Sequence, residues 1–166
     1  VYSGVITGGT GTQVDKYRCR GGGLHVEAGG ALTMESGSIV GCSGSGTING
    51  GGGVYLGLNS SPTNPTADTF TMNGGRIIGC TAGLGGGVLV APGCKFTMNA
   101  GAVIRSCTAQ MGGGVYNIGN IGTSDSPGTF TLNGGTIQSC KASVQGGGVY
   151  NTGEFIIQNG SIENCT

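Results

Sequence analysis

Charge is scarce in this chain of 166 residues: seven Lys and Arg, seven Asp and Glu, and a formal net charge of zero. That excludes the basic footprint of a nucleic-acid binder and the acidic tail of a charged tether. There is no Trp, one His and only four Pro. No apolar run approaches the ~20 residues a membrane-spanning helix needs. Glycine does not fall at every third position, so a collagen triple helix is excluded. Nor does the composition suit disorder, because 36% of residues are hydrophobic and no net charge opposes collapse. A hydrolase or lyase would have few acid–base groups to draw on.

Glycine is abundant instead, at 40 of 166 residues (40/166, about 24%) against roughly 7% in ordinary proteins. Much of it is periodic. Gly-Gly-Gly followed by an apolar residue recurs at 21–24, 51–54, 85–88, 112–115 and 146–149, with starts 30, 34, 27 and 34 residues apart. Each triplet opens a short apolar run: Leu24-His25-Val26, Val54-Tyr55-Leu56, Val88-Leu89-Val90, Val115-Tyr116-Asn117, Val149-Tyr150-Asn151. A second run follows: Leu32-Thr33-Met34, Phe70-Thr71-Met72, Phe96-Thr97-Met98, Phe130-Thr131-Leu132, Phe155-Ile156-Ile157. Then Ile-x-x-Cys closes each unit, at Ile39/Cys42, Ile77/Cys80, Ile104/Cys107, Ile137/Cys140 and Ile162/Cys165.

Runs of three to five β-branched or aromatic residues bounded by Gly, Asn or Ser have the wrong period for helix and the right one for strands. Three short strands per unit describe one coil of a parallel β-solenoid, stacked at about 4.8 Å. The whole chain reads as one all-β domain: an irregular first coil over 1–20, then repeats at 21–50, 51–84, 85–111, 112–145 and 146–166. Five coils and the irregular one make a rod on the order of 25–30 Å long. Equivalent positions then stack as columns. Leu32, Phe70, Phe96, Phe130 and Phe155 form one inward column; Met34, Met72, Met98, Leu132 and Ile157 form the next; the isoleucines of Ile-x-x-Cys form a third.

Val1-Tyr2 matches the Val-Tyr that follows a triplet, and Cys165-Thr166 stands where the next turn would begin. These registers are expected of a segment of a longer array. Residues 5–20 fit the template poorly and are expected to form a degenerate coil, with Cys19 near the cysteine column.

The string from Phe70 to Val88, Phe-Thr-Met-x-Gly-Gly through Ile-x-Gly-Cys-Thr-Ala to Gly-Gly-Gly-Val, resembles the repeats of bacterial surface adhesin-like proteins. It is also similar to the repeats of chlamydial polymorphic outer-membrane proteins. The resemblance covers about residues 21–166. It implies a single-stranded right-handed parallel β-helix, a secreted or cell-surface location, and a stalk or adhesin without catalytic activity. One column departs from it: where those repeats often carry Asn, this chain has Cys in all five units.

Several residue sets are candidates for function. Cys42, Cys80, Cys107, Cys140 and Cys165 would lie one strand spacing apart, within the Cα range of about 4.4–6.8 Å that a disulfide accepts. They could staple coils together in an oxidising compartment, or serve as small buried apolar fillers. Seven cysteines is an odd number, so one must stay free or pair with another chain. Metal binding is disfavoured, because no Cys-x-x-Cys occurs and His25 lies outside the column. Cys94 stands alone in a turn, where exposure is expected.

The middle residue of each first strand should face solvent. This makes His25, Tyr55, Leu89, Tyr116 and Tyr150 a ladder, with Tyr2 before it, able to stack sugars or another rod, or simply to stabilise stacked strands. Thr33, Thr71, Thr97 and Thr131, with Thr69 and Thr129, resemble an ice-binding array. Ala31, Lys95, Glu154 and Ile156 interrupt that array. Two polar insertions, Gly57–Asp68 and Ile118–Gly128, offer a loop surface through Asn59, Ser60, Ser61, Thr63, Asn64, Asp68, Asn120, Thr123, Ser124 and Asp125, or are solvated connectors.

Glu27, Glu35, Asp68, Asp125, Glu154 and Glu163 are distributed among several coils and columns, so no adjacent carboxylate pair for glycoside chemistry is expected. No Gly-Lys-Ser/Thr follows the triplets, which read as turns and not phosphate loops. The expectation is a non-catalytic, cofactor-free spacer and contact surface. Its partners would be a host or matrix surface, a glycan or neighbouring copies of itself. The competing classes are a head-to-tail filament subunit and a carbohydrate- or ice-binding module.

Overall fold

A computed structural model describes residues 4–11, 21–44, 50–57, 67–120 and 126–166. Among them the chain is all-β without a helix, and each inter-strand ladder is parallel. Parallel neighbours always come from successive repeats, which is what a sequence repeating at about 30 residues requires of strands of three to five residues.

The first strands of the repeats build a five-stranded sheet, in the order Leu24–Val26, Val54–Leu56, Val88–Val90, Val115–Asn117 and Val149–Asn151. The second and third strands share a nine-stranded sheet. In the last two repeats they run through the intervening turn as single strands, Thr129–Gln138 and Glu154–Glu163. A further short strand that the repeat pattern does not announce follows some cysteines: Ser43–Gly44 pairs Thr10–Gly11, and Thr108–Met111 pairs Lys141–Gln145.

The columns are in register. Leu32, Phe70, Phe96, Phe130 and Phe155 are partners across successive strands, and Met34, Met72, Met98, Leu132 and Ile157 follow two residues on. Phe70, Phe96 and Phe130 are buried, and the rings stack nearly parallel, 4.9, 5.0 and 4.9 Å apart along the series Phe70–Phe96–Phe130–Phe155. Each such aromatic pair adds about 0.5–1.5 kcal/mol beyond the area it buries. The isoleucine column starts one repeat earlier than the sequence motif, with Ile6 paired to Ile39.

Residues 4–11 are therefore not a degenerate coil but a third strand and turn in register with the later repeats. In that register Gly9 stands where the others have Cys: its carbonyl accepts from Ser43 N, as the Cys42 carbonyl accepts from Thr81 N. Cys19 and Tyr2 lie outside the described residues.

Two local demands explain the glycine. At Gly52 and Gly53 the backbone passes directly over the turn after Cys80. A Cβ would meet the Thr81 carbonyl oxygen at 2.6 Å from Gly52, and Ile77 Cγ2 at 2.7 Å from Gly53. The residue just before each of the five column cysteines is left-handed, with φ of 62° at Gly41, 61° at Gly79, 55° at Ser106, 53° at Ser139 and 52° at Asn164. Nothing lies within 4 Å of a Cβ at Gly79, so Ser and Asn can replace glycine there at only a backbone penalty.

Candidate functional site

The cysteine column sits where the third strand turns toward the glycine triplet. Cys42, Cys80, Cys107 and Cys140 are buried, Cys165 is half-buried, and all five are free thiols. Their side chains repeat one geometry. Each sulfur lies near the carbonyl oxygen two residues before it and near the isoleucine carbonyl of the preceding repeat. For Cys80 these are Ile78 O at 3.5 Å and Ile39 O at 3.9 Å; for Cys107, Arg105 O at 3.4 Å and Ile77 O at 3.8 Å. A single S–H shared between two carbonyls is a weak bond, but five stacked copies knit each turn to the strand beneath it.

The thiols also influence one another. The neighbouring Cys140 and Cys80 thiols, then burial, push Cys107 up. The same contact with Cys107 pulls Cys140 down, and Cys80 down to about 7. Burial is the main cause of the rise at Cys42 and Cys165.

A second constellation fills the corner between the first and second strands. Asp68, expected on an exposed loop, is 1% exposed. Its Oδ1 accepts from Gly29 N at 2.7 Å and Gly30 N at 3.0 Å, which closes the turn of the repeat before it. Cys94 is 0% exposed rather than free in a turn, and its thiol donates to Asp68 Oδ2 at 3.7 Å. Burial, then the Asp68 charge, pushes the Cys94 thiol up to about 12.

In the next repeats Gly128 and Gly153 leave that corner without side chains, and Asn117 reaches across from the neighbouring strand. Its Nδ2 donates to Gly128 O at 2.9 Å, Asn151 Oδ1 at 2.7 Å and Glu154 O at 2.8 Å, while its Oδ1 has no partner. The signal for Asn117 was legible: it is the third residue of Val-Tyr-Asn, in a column filled by Val26, Leu56 and Val90 in the repeats before it and by Asn151 in the one after.

His25, Tyr55, Leu89, Tyr116 and Tyr150 form one register, but not an unbroken solvent-facing ladder. Leu89 is 1% exposed and the four rings are half-buried. Leu89 thus divides the aromatics into two pairs, His25–Tyr55 with centroids 5.0 Å apart and Tyr116–Tyr150 at 5.1 Å. Burial, then the neighbouring Tyr150, raises the Tyr116 phenol above its usual value.

The threonine row is in register at Thr33, Thr71, Thr97 and Thr131, and ends at Ile156. Beside it runs an amide ladder that sequence reasoning missed. Asn73 donates to Glu35 Oε1 at 2.9 Å, Asn99 to Asn73 Oδ1 at 2.7 Å, and Asn133 to Asn99 Oδ1 at 3.0 Å. Its signal was the Asn that follows Phe-Thr-Met or Phe-Thr-Leu.

Of the loop candidates, Asn59, Ser60, Ser61, Thr63, Asn64, Thr123, Ser124 and Asp125 lie outside the described residues. Asn120 is exposed at the rim of the second insertion. The base of that insertion is closed by Gly128 N donating to Ile118 O at 2.8 Å. Among the described residues no group of three or more His, Cys, Asp or Glu is placed to hold a metal, and no helix is long and apolar enough to cross a membrane.

Comparison with family models, curated proteins and solved structures returns no match to this chain. Functional inference therefore rests on the geometry.

Proposed function

We propose that the chain is a non-catalytic structural and adhesive segment of a secreted or cell-surface bacterial protein: a single right-handed β-solenoid that acts as a stiff spacer and presents contact surfaces along its length. One observation carries this reading. The buried chemistry-bearing side chains are engaged in tying repeat to repeat: the thiols bond to carbonyls of the preceding repeat, Asp68 closes the Gly29–Gly30 turn, and Asn117 clamps Gly128 and Glu154. Groups committed in this way stiffen a rod, and among the described residues these buried groups are taken up by the fold. The outward rows, threonine and asparagine on one sheet and half-buried tyrosine on the other, are the surfaces such a spacer offers to a glycan or matrix partner.

The test is adhesion under load. Beads carrying the chain are expected to hold to a glycan- or matrix-coated surface, and Tyr116→Ala with Tyr150→Ala, or Asn99→Ala with Thr97→Ala, is expected to weaken the hold. Beads that never adhere to any such surface would overturn the adhesive part. A soft, stepwise extension at low force would overturn the spacer part.

A filament reading is favoured by a separate observation. Ile157 is 59% and Ile162 40% exposed, while their column partners Leu132 and Ile137 are fully buried. That apolar edge suits a further layer of the same kind, supplied by the polypeptide itself or by a second copy. Concentration-dependent sedimentation abolished by Ile157→Lys is the expected sign of the second copy.

A further inference from the structure

Three described turns between the second and third strands carry Asn directly before Gly: Asn73-Gly74, Asn133-Gly134 and Asn159-Gly160. An Asn-Gly step can cyclise, since glycine puts no side chain in the way of its own nitrogen. The fold treats the three differently.

Asn73 is pinned on both sides, its Nδ2 on Glu35 and its Oδ1 on Asn99, and Gly74 N donates to Met34 O at 3.3 Å. Asn133 is held by its bond to Asn99. In the last of these turns the asparagine comes one residue late. The order is Gln158-Asn159-Gly160 where the earlier turns read Asn73-Gly74-Gly75 and Asn133-Gly134-Gly135, and the pairing with the preceding repeat slips at this point. Across the slip Asn133 is paired with Asn159, and Gln158 is the extra residue. The Asn159 side chain bonds within its own turn: its Oδ1 accepts from Gly160 N at 2.8 Å, at an exposed corner. Gly160 is at φ +104°, a conformation open to glycine, which keeps the step Asn-Gly.

We propose that Asn159 is a selective site of spontaneous succinimide formation and deamidation, with water as the co-reactant, while the ladder protects Asn73 and Asn133. Gly160 N loses its proton and attacks Asn159 Cγ. The N–Cγ bond forms, the Cγ–Nδ2 bond breaks, and Nδ2 leaves as ammonia with that proton. Water then opens the ring at either carbonyl, giving aspartate or isoaspartate. Both products place a new carboxylate on a corner of a nearly uncharged surface. The isoaspartyl form also adds a methylene to the backbone of Glu154–Glu163, which loosens its pairing with Thr129–Gln138.

The experiment is ageing of the purified chain in mildly alkaline buffer at 37 °C, followed by peptide mass spectrometry and labelling with an isoaspartyl methyltransferase. Asn159 is expected to deamidate at least about tenfold faster than Asn73 or Asn133, whose side chains must first break a hydrogen bond to a neighbouring repeat. In urea the three rates should converge. The double variant Gln158→Asn/Asn159→Gly gives this turn the same spacing from its phenylalanine that Asn73 and Asn133 have, and is expected to suppress the reaction there. Comparable rates at all three sites in the folded chain, a faster reaction at Asn73 or Asn133, or undiminished deamidation in the double variant would each overturn the proposal.

Discussion

Cys94 donates its thiol to the Oδ2 of Asp68 across 3.7 Å, both residues are buried, and the same carboxylate holds Gly29 and Gly30 of the repeat before it. One carboxylate thereby joins three successive repeats. The arrangement needs the thiol protonated. Cys94 sits at about 12 in the fold against 9.0 for an ordinary thiol, so below pH 9 neither the folded nor the unfolded chain has released this proton. Between pH 9 and 12 only the unfolded chain does, and unfolding is favoured by up to about 1.4 kcal/mol per pH unit for this thiol. Cys42, Cys107 and Cys165, also raised, add to the decline. Urea-unfolding midpoints are expected to fall as pH rises above 9, with a shallower fall in Cys94→Ala. Parallel pH profiles for the two chains would contradict this.

The phenylalanine stack should be most sensitive at its middle. Phe96 lies between two rings and is fully buried, whereas Phe155 is partly exposed. Phe96→Ala is expected to destabilise by about 3–5 kcal/mol, and Phe155→Ala by clearly less. Denaturant titration of the two variants measures the difference, and equal losses would argue against a continuous column.

Glycines should divide by what surrounds them. Gly79→Ala keeps open space around the new methyl and is expected to lose about 1 kcal/mol to its left-handed backbone. Gly52→Ala drives a methyl into the Thr81 backbone and is expected to lose roughly 3 kcal/mol. Ser139→Gly removes the strain at φ 53° and should gain about 0.5 kcal/mol, the smaller unfolded-state entropy of serine offsetting the rest. Thermal melts rank the three.

Thiol chemistry reads the cysteine column directly. All six described cysteines are free. Seven thiols should titrate in denaturant without reductant. In the folded chain Cys165, half-buried, should be alkylated well before Cys42, Cys80, Cys94, Cys107 and Cys140. Fewer than seven thiols, or early labelling of Cys107, would contradict the geometry.

Much of this architecture was legible in the residues, because in-register stacking turns each column into a repeated letter. The Phe column, the Ile column and the cysteines were aligned by counting from the glycine triplets alone. The failures came where a position is not repeated. Asp68 and Cys94 occupy equivalent places in successive repeats but differ in residue type, and their exposure depends on a bond between repeats that no single repeat encodes. Leu89 reads as outward by alternation, yet it is buried with Tyr55 and Tyr116 on either side, because strand alternation states the face and not what covers it. Gly9 hid the first rung of the cysteine column by lacking a side chain. Asn73, Asn99 and Asn133 repeat plainly, but a turn asparagine is read by habit as a turn former, so their mutual hydrogen bonds went unseen.

The central claim is parallel, in-register stacking of successive repeats, and ring-to-ring nuclear Overhauser contacts among assigned phenylalanines test it most directly. Phe96 ring protons should show contacts to both Phe70 and Phe130, Phe155 to Phe130 alone, and Phe70 none to Phe130. A direct Phe70–Phe130 contact, or a Phe96 ring without these two neighbours, would contradict the stacking and every surface derived from it.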